Sequence, residues 1–226
     1  TPSRHFPLGS VMSLRRRYEL LNLANETGAW IIEDDYDSEI RYTGSPIQAL
    51  QGLDATGRVI YTGTFSKILF PSLRLGYMVI PPALVDAFFA ARVITSLQVS
   101  TPPQAVLTEF IEGGHLYRHL RRMRSLYAER QHVLIDAIAD ELRDLVEIRP
   151  ADAGMHLVGW LRGGLSAQVV SNAAQGEGID VNPLSRYCID PCRREALLFG
   201  YTGVRPPIIW RSIRELSAVM RRLRKT

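Results

Sequence analysis

Two short polar motifs, each directly after an apolar run, constrain the fold of this sequence more than any other feature. Residues 33–39 have the sequence EDDYDSE and follow the apolar run 29–32, and residues 64–67 have the sequence TFSK and follow the run 59–61. Apolar runs of this length predict buried strands, and open α/β sheets place their functional residues just beyond the carboxyl ends of such strands. We therefore expect a site to which the first motif contributes carboxylates and a phenol, and the second an amine.

The order of the predicted elements indicates the α/β class. A helix is expected to begin after Ser13, which is a suitable N-cap, and to stop at Gly28. Strands are predicted at 29–32, 59–62 and 75–80, with helical segments between and after them. Strands that alternate with helices are typical of a mainly parallel sheet.

A second, smaller α+β unit is expected after a long helical stripe. Apolar residues keep helical spacing from 116 to 142, which is long for a helix packed within one domain and suits a connection between two domains. Short strands are predicted beyond it at 145–148, 155–160 and 179–181. We predict a partial major domain at 1–125, which includes the start of the connecting helix, and a small C-terminal domain at 126–226.

Composition limits the class of protein further. Of the 226 residues, 46% are hydrophobic and 22% are charged, which is typical of a globular protein, and no apolar run has the length of a membrane span. The net charge of +4 arises from arginine clusters such as 15–17, which we interpret as solvated helix faces rather than as a nucleic-acid contact. Cys188 and Cys192 are expected to be free thiols in a reducing compartment. Without a signal peptide at its start, the sequence predicts a cytoplasmic protein.

The second motif is not a nucleotide-binding P-loop. That loop requires Gly before its Lys and Ser or Thr after it, whereas Ser66 and Ile68 flank Lys67 here. Taken alone, Lys67 is expected to be a solvated loop residue, as most lysines are. An amine role for Lys67 therefore depends on its neighbours in the sequence.

The acidic motif has structural interpretations too. Asp35, Asp37 and Glu39 are expected to be solvated or to cap the loop rather than to act in catalysis. Tyr36 could cap the sheet, and Arg74 could pair with one of the nearby acids. No metal site is expected, because the loop lacks the glycine and the ligand spacing of a calcium-binding hand.

Three segments, taken together, resemble a known family. Residues 32–39 (IEDDYDSE), 63–67 (GTFSK) and 73–77 (LRLGY) are similar to the aminotransferase-like domain of MocR-type transcription regulators of the GntR superfamily, a fold-type I pyridoxal-phosphate (PLP) domain. The resemblance extends over the whole chain. It implies an α/β fold in which a mainly parallel sheet of the aminotransferase major domain, present in part, precedes a smaller α+β domain. It also implies PLP as the cofactor.

The resemblance assigns the reactive end of the cofactor to three residues. Lys67 would form the internal aldimine with the PLP aldehyde, which requires a neutral amine. Asp34 would face the pyridine nitrogen, where a carboxylate keeps the ring protonated and able to accept electrons. Tyr36 would donate a hydrogen bond to the ring phenolate oxygen.

The phosphate end is assigned to the second motif and the segment after it. Arg74 would bind the phosphate, because a planar guanidinium offers two parallel donors to a pair of oxygens. Thr64 and Ser66 would add hydroxyl donors. These residues complete the implied cofactor-binding set.

A ligand carboxylate would need a further basic partner. Standard aminotransferases have an Arg near the start of a late strand, and the corresponding stretch here, 196–201, has none. Arg186 is our candidate, with Arg205 as the second choice and an ordinary surface arginine as the alternative. Phe6 stands where standard aminotransferases have an Asn that binds the ring oxygen, so completed transamination is less expected than cofactor binding.

The function implied by the resemblance is the sensing of an effector. A small amino-acid or amine ligand would react at Lys67, the domain would be a homodimer, and DNA would be bound only through an upstream domain absent from this chain. We expect a fragment, since the chain starts without Met and its first residues resemble the interior of a domain. The alternatives are a free-standing PLP-dependent amino-acid aminotransferase and an interaction domain that has lost the cofactor.

Overall fold

The computed structural model describes residues 1–224 apart from 46, 98 and 191. These described residues form two compact units. The first consists of residues 1–6 and 10–122, and the second of residues 7–9 and the described residues from Met123 onward. The predicted limits of 1–125 and 126–226 stay a prediction. None of the described helices combines the length and the apolar character needed to cross a membrane.

The elements follow the order that the sequence predicts. Those before residue 143 are α1 (Leu14–Thr27), β1 (Ile31–Asp35), α2 (Leu50–Leu53), β2 (Val59–Thr64), β3 (Gly76–Val79), α3 (Val85–Ser96), α4 (Thr101–Glu112) and α5 (His115–Glu141). Those after it are β4 (Val146–Ile148), β5 (His156–Leu161), α6 (Ala167–Gly176), β6 (Asn182–Pro183), β7 (Ala196–Gly200) and α7 (Pro206–Leu223).

Helix α1 begins and ends where its sequence signals place the caps. The Ser13 hydroxyl accepts a hydrogen bond from a main-chain N–H of the first turn at 3.4 Å, and Gly28 adopts the left-handed conformation with φ of 72°. Leu21 packs from α1 onto Leu50 and Val59. This cluster joins α1 to α2 and β2, and it forms part of the core beneath the first sheet.

Arg17 is fully buried in α1, so the prediction that the cluster 15–17 is solvated is wrong at this residue. Its side chain is 0% exposed and donates to main-chain oxygens of Met12, Gln48 and Pro2 at 3.1, 2.9 and 3.0 Å. Burial lowers the pKa of Arg17, and the carboxylates of Glu33 and Asp35 oppose this. Three carbonyls satisfy the guanidinium, which is why it tolerates burial.

The described part of the first unit contains a three-stranded sheet in the order β1-β2-β3. β1 and β2 are parallel, as predicted. β3 is antiparallel to β2, and the prediction of a mainly parallel sheet did not specify this pair. Only residues 65–75 connect the two strands, and that connection contains a short 3₁₀ turn, Pro71–Leu73, rather than the longer crossover that a parallel neighbour requires.

The described part of the second unit contains a four-stranded antiparallel sheet in the order β4-β5-β7-β6. Buried residues of α6 and α7, such as Val170 and Leu216, belong to the core of this unit. The strand predicted at 179–181 lies slightly later, as β6. The Val181 carbonyl accepts a hydrogen bond from the Ser171 hydroxyl at 2.7 Å, which ties this stretch to α6.

Cys188 and Cys192 form a disulfide bond, so the prediction of two free thiols is wrong. Their Cα atoms lie 6.0 Å apart, a separation that a disulfide spans. Both pack against a small buried cluster that includes Leu184 and Leu198. The bond closes the loop that follows the 3₁₀ turn Leu184–Tyr187.

Candidate functional site

The two motifs leave the same edge of the first sheet. β1 and β2 pair in parallel from Ile31 opposite Val59 to Asp35 opposite Gly63, so both strands end at the same level. The acidic loop continues from β1, and the loop of Lys67 continues from β2. The structure thus brings the carboxylate motif and the amine motif to the carboxyl ends of neighbouring strands, which is where an open α/β sheet places a site.

Asp34 lies on the open face of this sheet. Burial alternates along β1, with Glu33 and Asp35 buried and Asp34 exposed, as the period of two in a strand requires. The Thr62 hydroxyl, opposite on β2, lies 3.4 Å from Oδ1 of Asp34 and 3.2 Å from the main-chain oxygen of Glu33. Asp34 is therefore oriented by a neighbouring hydroxyl while its carboxylate remains accessible.

The other face of β1 has two buried carboxylates with structural roles. Glu33 is 1% exposed and accepts hydrogen bonds from the first two main-chain N–H groups of α2, each at 2.9 Å. Asp35 accepts one from the Tyr61 hydroxyl at 3.0 Å and one from the Ser38 N–H at 3.3 Å. Asp35 thus caps the loop, which is one of the two roles expected of it. Burial and Asp35 together raise the pKa of Tyr61.

Asp37 is buried, so the expectation that its side chain is solvated is wrong. Its side chain is 2% exposed, and its Oδ2 lies 3.5 Å from Nη1 of Arg4, which is itself 5% exposed. Burial raises the pKa of Asp37 to about 6, and Arg4 opposes this rise. The Tyr36 hydroxyl donates to the main-chain oxygen of Arg4 at 3.1 Å. Both motif residues are therefore held by the segment that precedes α1.

The second motif is fixed by hydrogen bonds of its own loop. Phe65 N–H donates to the Leu75 carbonyl at 3.0 Å. The Thr64 hydroxyl accepts from Ser66 N–H at 3.1 Å and donates to the same Leu75 carbonyl at 3.4 Å. A His119 ring nitrogen lies 2.9 Å from the Ile68 carbonyl just beyond the motif. The loop therefore holds the backbone of Lys67 in place without using its amine.

Lys67 and Arg74 are cations without partners in the described part of the chain. Both side chains are exposed, and neither forms a hydrogen bond or an ion pair with any described residue. The alternative in which Arg74 pairs with a nearby acid is therefore not observed. Arg74 also has a positive φ of 51°, a conformation that is rare for a side chain of this size and is often found at functional sites. These two cations are free to bind an anionic ligand.

The family model described as aminotransferase class I and II matches residues 1–190 of the chain. This chain belongs to the aminotransferase class I and II family. Within the family, the predicted resemblance to MocR-type regulators is confirmed by the relatives that match it.

Two of these relatives are 45% identical to the chain. One, named "Probable rhizopine catabolism regulatory protein MocR", is from Rhizobium meliloti and aligns over 96% of this chain and 44% of its own length. The other, an uncharacterized HTH-type transcriptional regulator, YhdI of Bacillus subtilis, aligns over 90% and 44%. The chain thus spans less than half the length of these relatives.

A solved family member has the same fold. The kynurenine aminotransferase of Pyrococcus horikoshii, determined with PMP, superimposes with a TM-score of 0.86 at 29% identity, over 98% of this chain and 55% of its own. This confirms the fold-type I α/β prediction.

The residues at the sheet edge suit PLP, the cofactor of this family. The PLP aldehyde condenses with a primary amine, and Lys67 is one of only two lysines among the 27 lysine and arginine residues. A phosphate is bound best by cationic donors, and Arg74 offers them because it has no partner among residues that the structure describes. A pyridine nitrogen requires an accessible carboxylate, which the structure offers at Asp34 but not at the buried Glu33 or Asp35.

The two candidates for binding a ligand carboxylate lie in the second unit. Arg186 is exposed, and its Nη1 donates to Oδ1 of Asn182 at 2.6 Å. Arg205 is exposed at the N-cap position of α7. Phe6 belongs to the first unit, and its side chain is 40% exposed. The roles of Arg186 and Arg205 stay predictions.

Sequence reasoning missed two residues of this aminotransferase-family site. Arg4 holds Asp37 and Tyr36, and its partners are 33 and 32 positions away in the sequence. Thr62 orients Asp34 across the sheet. The parallel register could have found Thr62, because pairing the two apolar runs places it opposite Asp34. No local signal identifies Arg4.

Proposed function

We propose that this chain is the PLP-binding, effector-sensing domain of a MocR-type transcription regulator. The observation that supports this most directly is that Lys67 and Arg74, two cations with no partner among the described residues, lie in the loop that follows the strand next to that of Asp34, whose carboxylate is accessible. The relatives named as regulators extend this proposal from cofactor binding to regulation.

The residues of the site bind different parts of PLP in this proposal. When bound, PLP supplies an aldehyde and an electron-withdrawing ring. Asp34, oriented by Thr62, would hold the proton on the ring nitrogen. Tyr36 would donate a hydrogen bond to the ring oxygen, for which its hydroxyl has to leave the Arg4 carbonyl. Arg74 binds the phosphate. Lys67 would hold PLP through its amine, and the amine of a ligand would compete with it for the aldehyde carbon.

The phosphate receives further donors from the second motif. The Thr64 hydroxyl spans Ser66 N–H and the Leu75 carbonyl, so it fixes the loop and turns to a phosphate only by giving up one of these bonds. The Ser66 hydroxyl forms no hydrogen bond with any described residue. Ser66 is therefore the better placed of the two to donate to a phosphate.

The ligand in this proposal is a small amino acid or amine. Its amine competes with Lys67, and a carboxylate on it pairs with Arg186, or with Arg205 if Arg186 proves dispensable. The domain acts as a homodimer. DNA is bound by a separate HTH domain, as the name of the Bacillus subtilis relative, an HTH-type regulator, suggests. Ligand binding changes the state of Lys67, and the dimer transmits that change to the DNA-binding domain.

The test uses the full-length protein incubated with PLP. A visible absorbance band is expected, and borohydride followed by peptide mass analysis should place the cofactor on Lys67. The Lys67→Ala variant should lose the band, whereas Lys225→Arg, which changes the other lysine of residues 1–226, should keep it. An unchanged band in Lys67→Ala would contradict the assignment. A wild-type protein without any band would favour the interaction domain that has lost the cofactor.

A PLP-dependent aminotransferase is the second candidate, favoured by the similarity to the solved kynurenine aminotransferase. Incubating the full-length protein with an amino acid and a keto acid separates the two functions. A regulator should change its absorbance on amine addition without repeated release of keto acid, whereas an enzyme should release it over many turnovers. Phe6, which replaces a ring-oxygen donor, favours the first outcome.

A further inference from the structure

The disulfide between Cys188 and Cys192 has one end beside a stretch that is fixed on the second sheet. Just after Cys192, the guanidinium carbon of Arg194 lies 4.7 Å from the centre of the Trp160 ring. The next residue, Glu195, accepts a main-chain hydrogen bond from the end of β5 at 2.9 Å, and its carboxylate accepts one from the first N–H of α6 at 2.6 Å. The Cys192 end is therefore held by the sheet and by α6.

The other end of the disulfide belongs to the turn that carries Arg186, the candidate for binding a ligand carboxylate. Cys188 is the C-cap of the 3₁₀ turn Leu184–Tyr187, and its N–H donates to the Ser185 carbonyl at 3.2 Å. Nη1 of Arg186 donates to Oδ1 of Asn182 at 2.6 Å, and its other nitrogens form no hydrogen bond with any described residue. The disulfide thus ties the turn of Arg186 to the fixed stretch and leaves donors of Arg186 available.

The disulfide lies where a reductant can approach it. Both cysteines are half-buried, and Ile189 and Asp190 beside them are exposed. Between the 3₁₀ turn and β7, the described residues form no helix or strand. Breaking a disulfide requires that a thiolate reaches one of its sulfurs, so this bond is open to exchange in the folded protein.

We propose that Cys188 and Cys192 form a reversible redox switch, whose reduction by a dithiol loosens the turn of Arg186 and weakens binding of the ligand carboxylate. A thiolate of the dithiol attacks one cysteine sulfur, the S–S bond breaks, and a mixed disulfide forms. The second thiol of the reductant then closes a disulfide within the reductant and releases that cysteine. The dithiol loses two electrons and two protons, and both cysteines become thiols.

The expected effect on ligand binding is modest. This inference rests on the proposed function, which assigns the ligand carboxylate to Arg186. Reduction removes the tie to the fixed stretch, whereas Leu184 at the start of the turn keeps its place in the buried cluster. An exposed ion pair changes affinity by no more than about fivefold. We therefore expect reduction to weaken binding of an amino acid by about two- to fivefold.

The test compares two forms of the PLP-loaded, full-length protein, oxidised with glutathione disulfide or reduced with dithiothreitol and then desalted without oxygen. Alkylation with peptide mass analysis should label Cys188 and Cys192 only after reduction. Hydrogen exchange in peptides of residues 184–188 should increase on reduction. Absorbance titrations should show weaker binding of L-alanine after reduction, whereas the affinity for ethylamine, which is alanine without its carboxylate, should stay unchanged.

Three variants connect the effect to these residues. Cys188→Ser combined with Cys192→Ser should behave like the reduced protein under both conditions, which also controls for any thiol outside residues 1–226. Arg186→Gln should weaken L-alanine binding by the oxidised protein, and reduction should weaken it no further. Arg211→Gln, at a side chain that is 68% exposed, is the matched control and should keep both affinities and the response to reduction.

The possible failures are distinguishable. Cysteines that resist dithiothreitol in the folded protein, or hydrogen exchange in the turn that does not change on reduction, overturn the switch. Equal weakening of L-alanine and ethylamine binding, or a response to reduction that persists in Arg186→Gln, overturns the route through Arg186. A wild-type protein without the visible band, or with a band that neither amine changes, refutes the proposed function, and alkylation and hydrogen exchange still decide whether the disulfide controls the turn.

Discussion

Replacing Arg17 by Met is expected to destabilise the first unit strongly. The guanidinium is 0% exposed and donates three hydrogen bonds to carbonyls of Pro2, Met12 and Gln48. Methionine has a similar length but no donors, so the change removes the bonds while leaving most of the packing in place. It therefore isolates the polar contribution of this side chain.

The magnitude follows from what the variant leaves behind. Three carbonyls lose their charged donor, and each such bond contributes about 1.5–3 kcal/mol before any water replaces it. The total loss is smaller than the sum of the three bonds, because water partly hydrates the carbonyls and because the variant no longer buries a charge. Loss of one member of a buried charged network typically costs about 3–5 kcal/mol, and we expect Arg17→Met to fall in this range.

Urea unfolding of the full-length protein, followed by circular dichroism, measures this loss. Hydrogen exchange in α1 peptides assigns it to the first unit. Arg15→Met is the matched control, because Arg15 forms only an exposed pair with Glu19 and should contribute less than about 1 kcal/mol. The reasoning is refuted if Arg17→Met lowers the free energy of unfolding no more than Arg15→Met does.

Three further changes test other contacts. Burial raises the pKa of Asp37 from 3.8 to about 6, so the folded state binds this proton more tightly than the unfolded state does. As the pH rises from 4 to 6, the wild-type protein should therefore lose roughly 3 kcal/mol of stability, and Asp37→Asn should not. Tyr201→Phe should cost about 1–3 kcal/mol in thermal unfolding, since the buried hydroxyl donates to the Gly154 carbonyl at 2.9 Å and accepts from Gln131 at 3.0 Å. Ser13→Ala should cost roughly 0.5–1 kcal/mol through loss of the α1 N-cap.

Each of these expectations has a result that contradicts it. Parallel stability curves for wild type and Asp37→Asn between pH 4 and 6 would show that Asp37 has no raised pKa. A Tyr201→Phe protein as stable as wild type would mean that the two hydrogen bonds contribute nothing net. Unchanged exchange in the first turn of α1 would remove Ser13 as its cap.

The parts of the fold that depend on local sequence were predictable. Ser13 and Gly28 mark the ends of α1 because capping is decided within a few residues. The apolar runs before the two motifs predicted β1 and β2, and their parallel pairing followed from the element order. The roles of Asp34 and Lys67 stay predictions, because they come from the resemblance to the family and not from the order of the elements.

Long-range packing was not predictable in the same way. Arg17 is identical in type to its exposed neighbours, and its burial depends on the carbonyls of Met12, Pro2 and Gln48, the last of them 31 positions away. Asp37 is buried because Arg4 lies beside it. The disulfide between Cys188 and Cys192 depends on how the chain turns between them, which spacing alone does not determine.

The amine of Lys67, exposed and without a partner in the part of the chain that the structure describes, has a consequence for how this chain reacts with amine-directed reagents. Arginine does not condense readily with simple aldehydes, and 25 of the 27 basic residues are arginine. Reactive carbonyl metabolites, acylating agents and amine-directed labels therefore meet few competing amines within these 226 residues. Such reagents should modify Lys67 early, so the extent of labelling at Lys67, read by peptide mass analysis, could report cofactor occupancy by falling whenever the amine is already in use.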